Sequence, residues 1–405
     1  IYDATDPTNL GVLSVLTEDA DDLDFMTTAV HNVFIYQQGE HAYLATTADQ
    51  SEDIQDFHII DITDPTNPTL VSLVGLPDWG SSISSLEDGE NLLHDLWVQD
   101  NGGIITAYLA YWDVGLVLVD ITDPAAPVLL GNSDYQNPDP ITGLTAEGEG
   151  HVVVPTADGS MVLVGDEDFY PYDLDMFFNG AWVPTSMDDQ LMQPIHELPE
   201  SELEGPVRWM GGGVCDAWWD YDSPAYHMPT AEGQIALMDD DWCWYDEMAE
   251  YVQDLGYAGF IVIDNWNEEE WKHLLHTTEN EHDVPGMFVR EEVGQDMIDA
   301  SPDGIVKIES TFNGWGYVRL MDVSDPANIV ELGQFALGET FSDGPIDDGG
   351  IYTAHNVMVQ GDRAVFSWYA AGIQLFDFSM CEPGAGQNSC TPIRTGFFQD
   401  TVGDE

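Results

Sequence analysis

A five-residue cassette recurs four times in this chain, each time at the end of a strand-like run. Its pattern is Asp, any residue, Thr or Ser, Asp and Pro, and the copies are Asp3–Pro7, Asp61–Pro65, Asp120–Pro124 and Asp322–Pro326. The first three copies begin about 60 residues apart, a spacing in the range of known structural repeats. The cassette therefore predicts a fold built from copies of one structural unit.

The cassette is predicted to be the turn of a β-hairpin. Before Asp120, the run 115–119 is apolar at nearly every position, which is typical of a strand covered on both faces. The Asp carboxylate accepts a hydrogen bond from the backbone of the turn, and Pro presets φ at the next position. The apolar run 128–130 then supplies the return strand.

A second signature precedes the cassettes and begins with histidine. It stands at His31, His94 and His355, each followed by Asn or Asp and an apolar residue, and in a weaker form at His151. A strand of small and aromatic residues follows each copy, so one unit has four strands. Four antiparallel strands per repeat are typical of a propeller blade.

The apolar run that ends at Asp120, Leu-Val-Leu-Val-Asp, and its relatives at 58–61, 318–322 and 374–377 resemble the motif of the LVIVD-repeat β-propellers. The resemblance implies an all-β propeller, here with four recognisable four-stranded blades plus an N-terminal half-blade. It also implies a secreted or surface protein without an assigned reaction. The propeller is predicted to occupy residues 1–169 and 315–405, and its blades begin at His31, His94, His151 and His355.

The third blade is predicted to be split by an inserted domain at residues 170–314. Strand, helix, strand, helix and strand patterns between 235 and 300 indicate parallel pairing with right-handed crossovers. The runs 233–237, 256–262 and 284–289 resemble a protease-associated (PA) domain, which implies an interaction or lid role without catalysis. Where that family usually has basic residues, this chain has 239–243, Asp-Asp-Asp-Trp-Cys, so a ligand preference that depends on positive charge is not expected.

The charge of the chain restricts its partners. Against 76 Asp and Glu there are only 7 Lys and Arg, and the formal net charge is -69. Nucleic acids and anionic membranes require clustered Lys and Arg, so neither is an expected partner. Self-repulsion on this scale requires salt or bound cations, which indicates a saline habitat or a calcium-rich extracellular matrix.

Four cysteines predict two disulfides, Cys381 with Cys390 and Cys215 with Cys243, and with them an oxidising compartment. The alternative is four buried free thiols. No run approaches 18 uninterrupted apolar residues, so no membrane insertion is expected. The chain begins with Ile1 and not with Met, and we expect a mature secreted product at the cell surface or outside the cell.

Calcium is the predicted cofactor, because loops dense in carboxylates supply the six to eight oxygens that Ca²⁺ requires. In a chain this acidic, however, carboxylate clusters also arise by chance. The candidate ligands are Asp19, Asp21, Asp22 and Asp24, then Asp166 and Asp168 with Glu167 between them, and finally Asp343, Asp347 and Asp348.

The repeated histidines have two interpretations. Equivalent positions in successive blades lie around one axis, so His31, His94, His151 and His355 are candidates for a transition-metal site. A residue that recurs in every blade more often has a structural role than a catalytic or binding one. We therefore favour the interpretation that each histidine forms a hydrogen bond with the backbone or the cassette Asp of a neighbouring blade. In the insertion, His273, His276 and His282 match no zinc motif and are interpreted as surface residues.

No nucleophile elbow, phosphate loop or dinucleotide fingerprint is present in the sequence. We therefore predict a non-enzymatic structural or adhesive protein that binds Ca²⁺. The N-terminal residues 1–16 resemble an unpaired half-blade, which predicts self-assembly by strand exchange between copies. The alternatives are a secreted hydrolase with its site between propeller and insertion, and a halophilic ligand-binding propeller.

Overall fold

The computed structural model describes most of the 405-residue chain and divides it into two compact units. The first unit combines residues 1–171 and 314–405, and the second comprises residues 172–313, where the sequence predicted boundaries at 169/170 and 314/315. The described residues are 1–15, 30–48, 55–79, 92–133, 149–169, 171–187, 192–211, 228–239, 245–264, 282–342 and 350–399.

The first unit begins with a short hairpin and two four-stranded antiparallel sheets. The hairpin pairs β1 (Tyr2–Asp3) with β2 (Gly11–Val12). Sheet 1 has the strand order β3, β4, β5, β6 and sheet 2 the order β7, β8, β9, β10, as expected for meandering blades. A helix of four residues, α1 (Leu76–Trp79), lies between the sheets. The strands are β3 (Val30–Gln38), β4 (His41–Ala48), β5 (Phe57–Asp61), β6 (Thr69–Val74), β7 (Leu93–Asp100), β8 (Ile105–Tyr111), β9 (Gly115–Asp120) and β10 (Val128–Asn132).

Sheet 3 begins with β11 (Gly150–Pro155) and β12 (Met161–Asp166), after which the chain enters the second unit. That unit has an eight-stranded mixed sheet with the order β14, β13, β20, β16, β17, β18, β19, β15. Its strands are β13 (Tyr172–Phe178), β14 (Ala181–Val183), β15 (Ser186–Met187), β16 (Glu202–Trp209), β17 (Ile235–Asp239), β18 (Gly259–Asp264), β19 (Gly286–Arg290) and β20 (Ile305–Phe312).

The middle of this mixed sheet is parallel, as the strand and helix alternation predicts. β16, β17, β18 and β19 pair in parallel, and β20 returns antiparallel beside β16. Two helices follow β17 and β19, namely α2 (Tyr245–Leu255) and α3 (Glu291–Ala300). Each helix buries an apolar stripe, which includes Met248 and Val252 on α2 and Met297 on α3. Short 3₁₀ turns cover Ile195–Glu197 and Pro199–Ser201.

The chain then returns to complete sheet 3 and to form sheet 4. β12 pairs with β21 (Val318–Asp322) across the insertion, and β21 pairs with β22 (Val330–Phe335). A 3₁₀ turn, Glu339–Phe341, precedes sheet 4, whose strand order is β23, β24, β25, β26. Its strands are β23 (Ala354–Gln360), β24 (Arg363–Trp368), β25 (Gly372–Asp377) and β26 (Ile393–Phe398).

The four repeat sheets stack in series through three apolar cores. Ile59 of sheet 1 packs with Val117 of sheet 2 in the first core, and Leu118 of sheet 2 with Val162 of sheet 3 in the second. Leu163 of sheet 3 packs with Trp368 of sheet 4 in the third core. Four four-stranded antiparallel sheets and the inserted domain are thus confirmed, whereas closure of the stack into a propeller ring stays a prediction.

The cassettes are hairpin turns in which both aspartates accept backbone hydrogen bonds. Thr122 N donates to Asp120 Oδ1 at 2.8 Å, and Ala125 N donates to Asp123 Oδ1 at 3.1 Å. The Thr122 hydroxyl in turn accepts a bond from Ile105 N at 3.0 Å, which attaches the turn to the neighbouring strand. Each cassette therefore ends one strand and begins the next, as its residue types predict.

Replacing the first aspartate of a cassette should destabilise its hairpin. Asp120→Ala leaves Thr122 N without its acceptor, and we expect a loss of about 1 kcal/mol in the free energy of unfolding by urea. Asp362→Ala is the matched control, because this exposed aspartate lies in a turn and its carboxylate makes no hydrogen bond within the described residues. Equal losses in the two variants would show that the cassette bonds do not stabilise the fold.

Candidate metal centre

Each of the repeated histidines lies in a β-bulge at the start of the first strand of its sheet. On β7 the pairing with β8 shifts between Leu93 and Asp95, so that His94 is the extra residue. On β11 the pairing with β12 shifts in the same way around His151. The pairings of β3 and β23 shift at His31 and His355. A bulge turns a side chain away from the regular alternation of a strand, and here it directs four imidazoles toward one place.

The four imidazoles form a continuous row. The ring centroids lie 4.1 Å apart for His31 and His94, 4.2 Å for His94 and His151, and 4.4 Å for His151 and His355. His94 Nδ1 also lies 3.0 Å from the carbonyl oxygen of His151, in the next sheet. That last contact is the structural role favoured from sequence, and the row itself is the arrangement that the metal interpretation requires.

A carboxylate completes the cluster. Glu167 follows β12 directly, and its backbone N–H donates to the carbonyl of Glu149 at 3.0 Å. Its Oε2 lies 3.1 Å from His151 Nε2, and its Oε1 lies 3.4 Å from His355 Nε2. The Tyr369 hydroxyl donates to the same Oε1. Glu167 is therefore held between two imidazoles and a phenol, in a fixed orientation.

Burial keeps His151 in the state that binds metals. Desolvation and the neighbouring His94, His355 and His31 lower the pKa of His151 to about 2, so its imidazole is neutral. Desolvation also raises the pKa of Glu167, opposed by the Tyr369 bond. The Nδ1 atom of His151 is buried and has no hydrogen-bond partner among the described residues. A neutral imidazole with an unpartnered nitrogen has a lone pair available for a ligand.

The donor atoms have the spacing of a metal site. One ligand atom each from His94, His151 and Glu167 lie within 4.8 Å of one another. Ligands at the usual zinc distances in a tetrahedron are about 3.3 Å apart. Within this set, His151 Nε2 and Glu167 Oε2 are 3.1 Å apart, which is close to that value, and His355 Nε2 outside the set lies 3.4 Å from Glu167 Oε1. Two imidazoles and one carboxylate are donors that Zn²⁺, Cu²⁺, Ni²⁺ and Fe²⁺ prefer, and this set does not supply the oxygens that Ca²⁺ requires.

In the acidic cluster 166–168, the carboxylates of Asp166 and Glu167 contact different partners. Asp166 Oδ2 accepts a bond from Arg319 Nε at 3.1 Å, so a buried guanidinium balances its charge. Asp168 is buried, and Glu167 faces the histidines. The contacts therefore favour Glu167, with nitrogen donors, over Asp166 as a ligand. Of the other predicted calcium ligands, Asp19, Asp21, Asp22, Asp24, Asp343, Asp347 and Asp348 lie outside the described residues.

The remaining predicted site residues have mixed outcomes. Cys381 and Cys390 form the expected disulfide, whereas Cys215 and Cys243 lie outside the described residues. His282 was interpreted as a surface residue, but its side chain is only 8% exposed, and its Nε2 lies 2.8 Å from Asp246 Oδ1 on α2. The sequence interpretation of His282 was wrong because Asp246 is 36 residues away along the chain. His273 and His276 lie outside the described residues.

Comparison with known families identifies both parts of the chain. Residues 38–75 and 95–134 match the model of the LVIVD repeat, and residues 210–297 match that of the PA domain. The chain is therefore an LVIVD-repeat protein that carries a PA domain, as its motifs indicate. No curated protein matches it. Within the described residues, no helix is long and apolar enough to cross a bilayer.

Solved structures align with only part of the chain. A zinc aminopeptidase from Bacillus subtilis, BSAP, is 14% identical over 40% of this chain and 36% of its own, with a TM-score of 0.27. An aminopeptidase from Aneurinibacillus sp. strain AM-1 is 9% identical over 42% of this chain and 37% of its own, with a TM-score of 0.23. The subtilisin-like protease Apa1 from Pseudoalteromonas sp. AS-11 is 10% identical over 39% and 37%, with a TM-score of 0.22. The chain thus spans little more than a third of these proteins, and similarities this low carry no inference about activity.

Proposed function

We propose that this protein is a non-enzymatic structural protein in which a transition-metal ion links its repeat sheets. The observation that carries the proposal is the cluster of His94, His151 and Glu167, with donor atoms within 4.8 Å of one another. His94 belongs to sheet 2, His151 belongs to sheet 3, and Glu167 directly follows a strand of sheet 3. One ion at this place would cross-link two sheets that otherwise meet only through side-chain packing and hydrogen bonds.

The surroundings of the cluster support a structural ion over a catalytic one. A structural zinc site has four protein ligands, whereas a catalytic site keeps one position for water or substrate. The imidazoles of His31 and His355 lie next to the donor set, at 4.1 and 4.4 Å between ring centroids. They are additional nitrogen donors beside the set of three. A row of five donors from four sheets thus favours a closed coordination shell.

A metal-dependent hydrolase is the second candidate, because two histidines and a carboxylate are also the ligands of several catalytic zinc sites. In that case the loaded protein would hydrolyse a peptide or ester, and His151→Gln would abolish the activity. The loaded wild type and this variant are therefore both assayed for hydrolysis. Activity that depends on His151 would replace the structural proposal with the enzymatic one.

Removing one donor should abolish specific metal binding. We expect the chelator-treated protein to bind one Zn²⁺ or Cu²⁺ per chain in calorimetric titrations, and His151→Gln to weaken that binding by about 100-fold or more. Loss of a residue that only hydrogen-bonds a ligand lowers metal affinity 10- to 100-fold. The expected loss is larger here because His151 is proposed as a direct ligand. The titrations are done in about 1 M NaCl, which screens the weak attraction of cations to the acidic surface.

The matched control is His282→Gln in the second unit, where the histidine is paired with Asp246 and is not one of the proposed donors. This variant should bind the ion as the wild type does. Ca²⁺ in excess should not displace the ion, because it requires oxygen ligands. Unchanged Zn²⁺ affinity in His151→Gln would disprove the site, and displacement by Ca²⁺ would restore the calcium prediction made from sequence.

An extracellular location stays part of the proposal. The disulfide between Cys381 and Cys390 supports an oxidising compartment, and the net charge of -69 supports a saline or cation-rich one. In such a compartment a bound ion and a disulfide stabilise a fold that its own charge destabilises. The PA domain is proposed to act as a non-catalytic interaction module.

A further inference from the structure

The stack of repeat sheets has a direction. In sheets 1, 2 and 3, the residue two positions before the cassette-type Asp packs toward the following sheet, as Leu118 does against sheet 3. In sheets 2, 3 and 4, the residue directly before that Asp packs toward the preceding sheet, as Val119 does against sheet 1. Every sheet therefore has a first face and a last face, and each inner interface joins the last face of one sheet to the first face of the next.

Within the part of the chain that the structure describes, no sheet covers the last face of sheet 4. Leu375 occupies the position that Ile59, Leu118 and Leu320 occupy in sheets 1, 2 and 3. Those three residues are at most 1% exposed, whereas Leu375 is 39% exposed. Val365 pairs with Leu375 across the sheet and Met358 pairs with Val365, while Ile373 lies two residues before Leu375 on the same strand and pairs with Phe398. All four of these side chains are exposed too. An apolar face of this kind normally marks an interaction site.

The N-terminal hairpin offers the complementary surface. Tyr2 stands directly before Asp3, so it has the position of Val119 and belongs to a first face. Tyr2 is paired with Val12 across the hairpin, and the two side chains are 62% and 59% exposed, whereas Val119 is fully buried. The hairpin is attached to sheet 1 as one sheet is to the next, because Ser14 Oγ donates to the carbonyl of Pro65 at 2.8 Å.

Gly131 has the position of Ser14 in sheet 2 and lies against the carbonyl of Pro326 in sheet 3. A Cβ atom added at Gly131 would be 1.8 Å from that oxygen. The return strand of one unit thus touches the cassette of the next in both places. The hairpin therefore has the position of the outer two strands of a sheet that would precede sheet 1. Its apolar first face is exposed, and the last face of sheet 4 in another copy has the apolar surface to cover it.

We propose that copies of this chain associate head to tail, with the last face of sheet 4 in one copy packed on the first face of the hairpin in the next. Two unlike surfaces on one chain make a heterologous contact, which generates a ring or an open filament. The contact continues the sheet-on-sheet stacking seen three times within the chain. It is independent of the metal ion, because neither surface includes His94, His151 or Glu167. Both surfaces are exposed within a single copy, so they do not cover each other there.

The test uses two variants of the full chain, each blocked at one surface. Variant A carries Met358→Gln and Leu375→Gln, and variant B carries Tyr2→Gln and Val12→Gln. The control variant carries Ile104→Gln and Val128→Gln, at apolar residues that are also exposed, to 49% and 58%, but lie outside both surfaces. None of these changes alters the charge. Sedimentation in about 1 M NaCl measures the oligomeric state, and thermal unfolding verifies that each variant folds.

Wild type and control should form larger assemblies, and variants A and B should each be monomeric, with association weakened at least 10-fold. An equimolar mixture of A and B should form only dimers, because the hairpin of A and sheet 4 of B remain intact. Self-association of B alone would show that sheet 4 binds another sheet 4, and would overturn the head-to-tail contact. A monomeric wild type, or a mixture of A and B that stays monomeric, would overturn it as well.

Discussion

Arg319→Met should lower the free energy of unfolding by about 3–5 kcal/mol, because it leaves two buried carboxylates without their counter-charge. Arg319 lies on β21, and its side chain is 2% exposed. Its Nε donates to Asp166 Oδ2 and its guanidinium to Glu331 Oε2, each at 3.1 Å. Asp166 comes before the insertion and Glu331 after it, so this triad joins the two halves of sheet 3 across the inserted domain.

The size of the loss is measured by urea unfolding at constant high salt. Arg363→Met is the matched control, because Arg363 makes a 3.8 Å pair with Asp377 while its side chain is 76% exposed. We expect no measurable change there, since exposed ion pairs contribute little in water. Adding Asp166→Asn and Glu331→Gln to Arg319→Met should recover stability, because those changes remove the uncompensated charges. Equal effects of Arg319→Met and Arg363→Met would contradict the role of the triad.

Asp56→Asn should change the pH dependence of stability more than any other single carboxyl substitution for which the structure supports an estimate. Asp56 is 2% exposed between sheets 1 and 2. Its Oδ1 accepts a bond from the Tyr111 hydroxyl at 2.7 Å, and its Oδ2 accepts one from Leu93 N at 2.9 Å. Burial raises the pKa of Asp56 from 3.8 to about 7, although the two hydrogen bonds oppose the rise.

The direction in which stability changes with pH follows from the difference in proton binding between the folded and unfolded states. Between pH 4 and 7 the folded protein binds the Asp56 proton more tightly than the unfolded chain, so this residue stabilises the fold at low pH and loses that contribution as pH rises. A tenfold change in proton affinity is worth about 1.4 kcal/mol. The difference between pKa values of 3.8 and about 7 therefore amounts to about 4 kcal/mol. The stability of Asp56→Asn relative to wild type should rise by up to that amount from pH 4 to 8.

Asp64→Asn is the control for this pH series. The Thr66 hydroxyl and the Thr66 backbone lower the pKa of Asp64, so its stabilising contribution is lost as pH falls, which is the opposite sign. Tyr111→Phe removes one of the bonds that oppose the shift, and it should raise the pKa of Asp56 further. Comparison between variants and wild type removes the large pH dependence common to all chains with this charge. A difference between Asp56→Asn and wild type that is constant with pH would refute the assignment.

Most of the local structure follows from the sequence, because it depends on residues close together along the chain. The hairpin turn at Asp120 is visible in its Asp, Thr and Pro, whose contacts span two residues. The parallel order of the inserted domain follows from the alternation of strands and helices. The displaced half of sheet 3 is recognisable because its cassette at Asp322 is intact.

The candidate site was only partly predictable. The repeated histidines are visible in the sequence, but the bulges that bring their side chains together are not. The sequence therefore favoured a structural role for these histidines over a shared metal site. Glu167 was grouped with Asp166 and Asp168 as a calcium ligand because adjacent carboxylates look alike in sequence. Its partners His151 and Tyr369 lie 16 and 202 residues away along the chain, in the latter case beyond the insertion. A contact between residues this far apart in the chain cannot be predicted from a local sequence pattern.

By itself, the sequence determined the repeat unit, its hairpins, the inserted domain and the acidic surface. The cassette and the hydrophobic periodicity depend on residues that are close together in the chain, and the net charge depends only on the composition of the whole chain. Only the tertiary structure decided which polar groups meet. It assigned Arg319 to Asp166, Glu167 to the histidines, and exposed faces to both ends of the stack. These features depend on how sheets pack on each other, and packing brings together residues whose separation in sequence carries no signal.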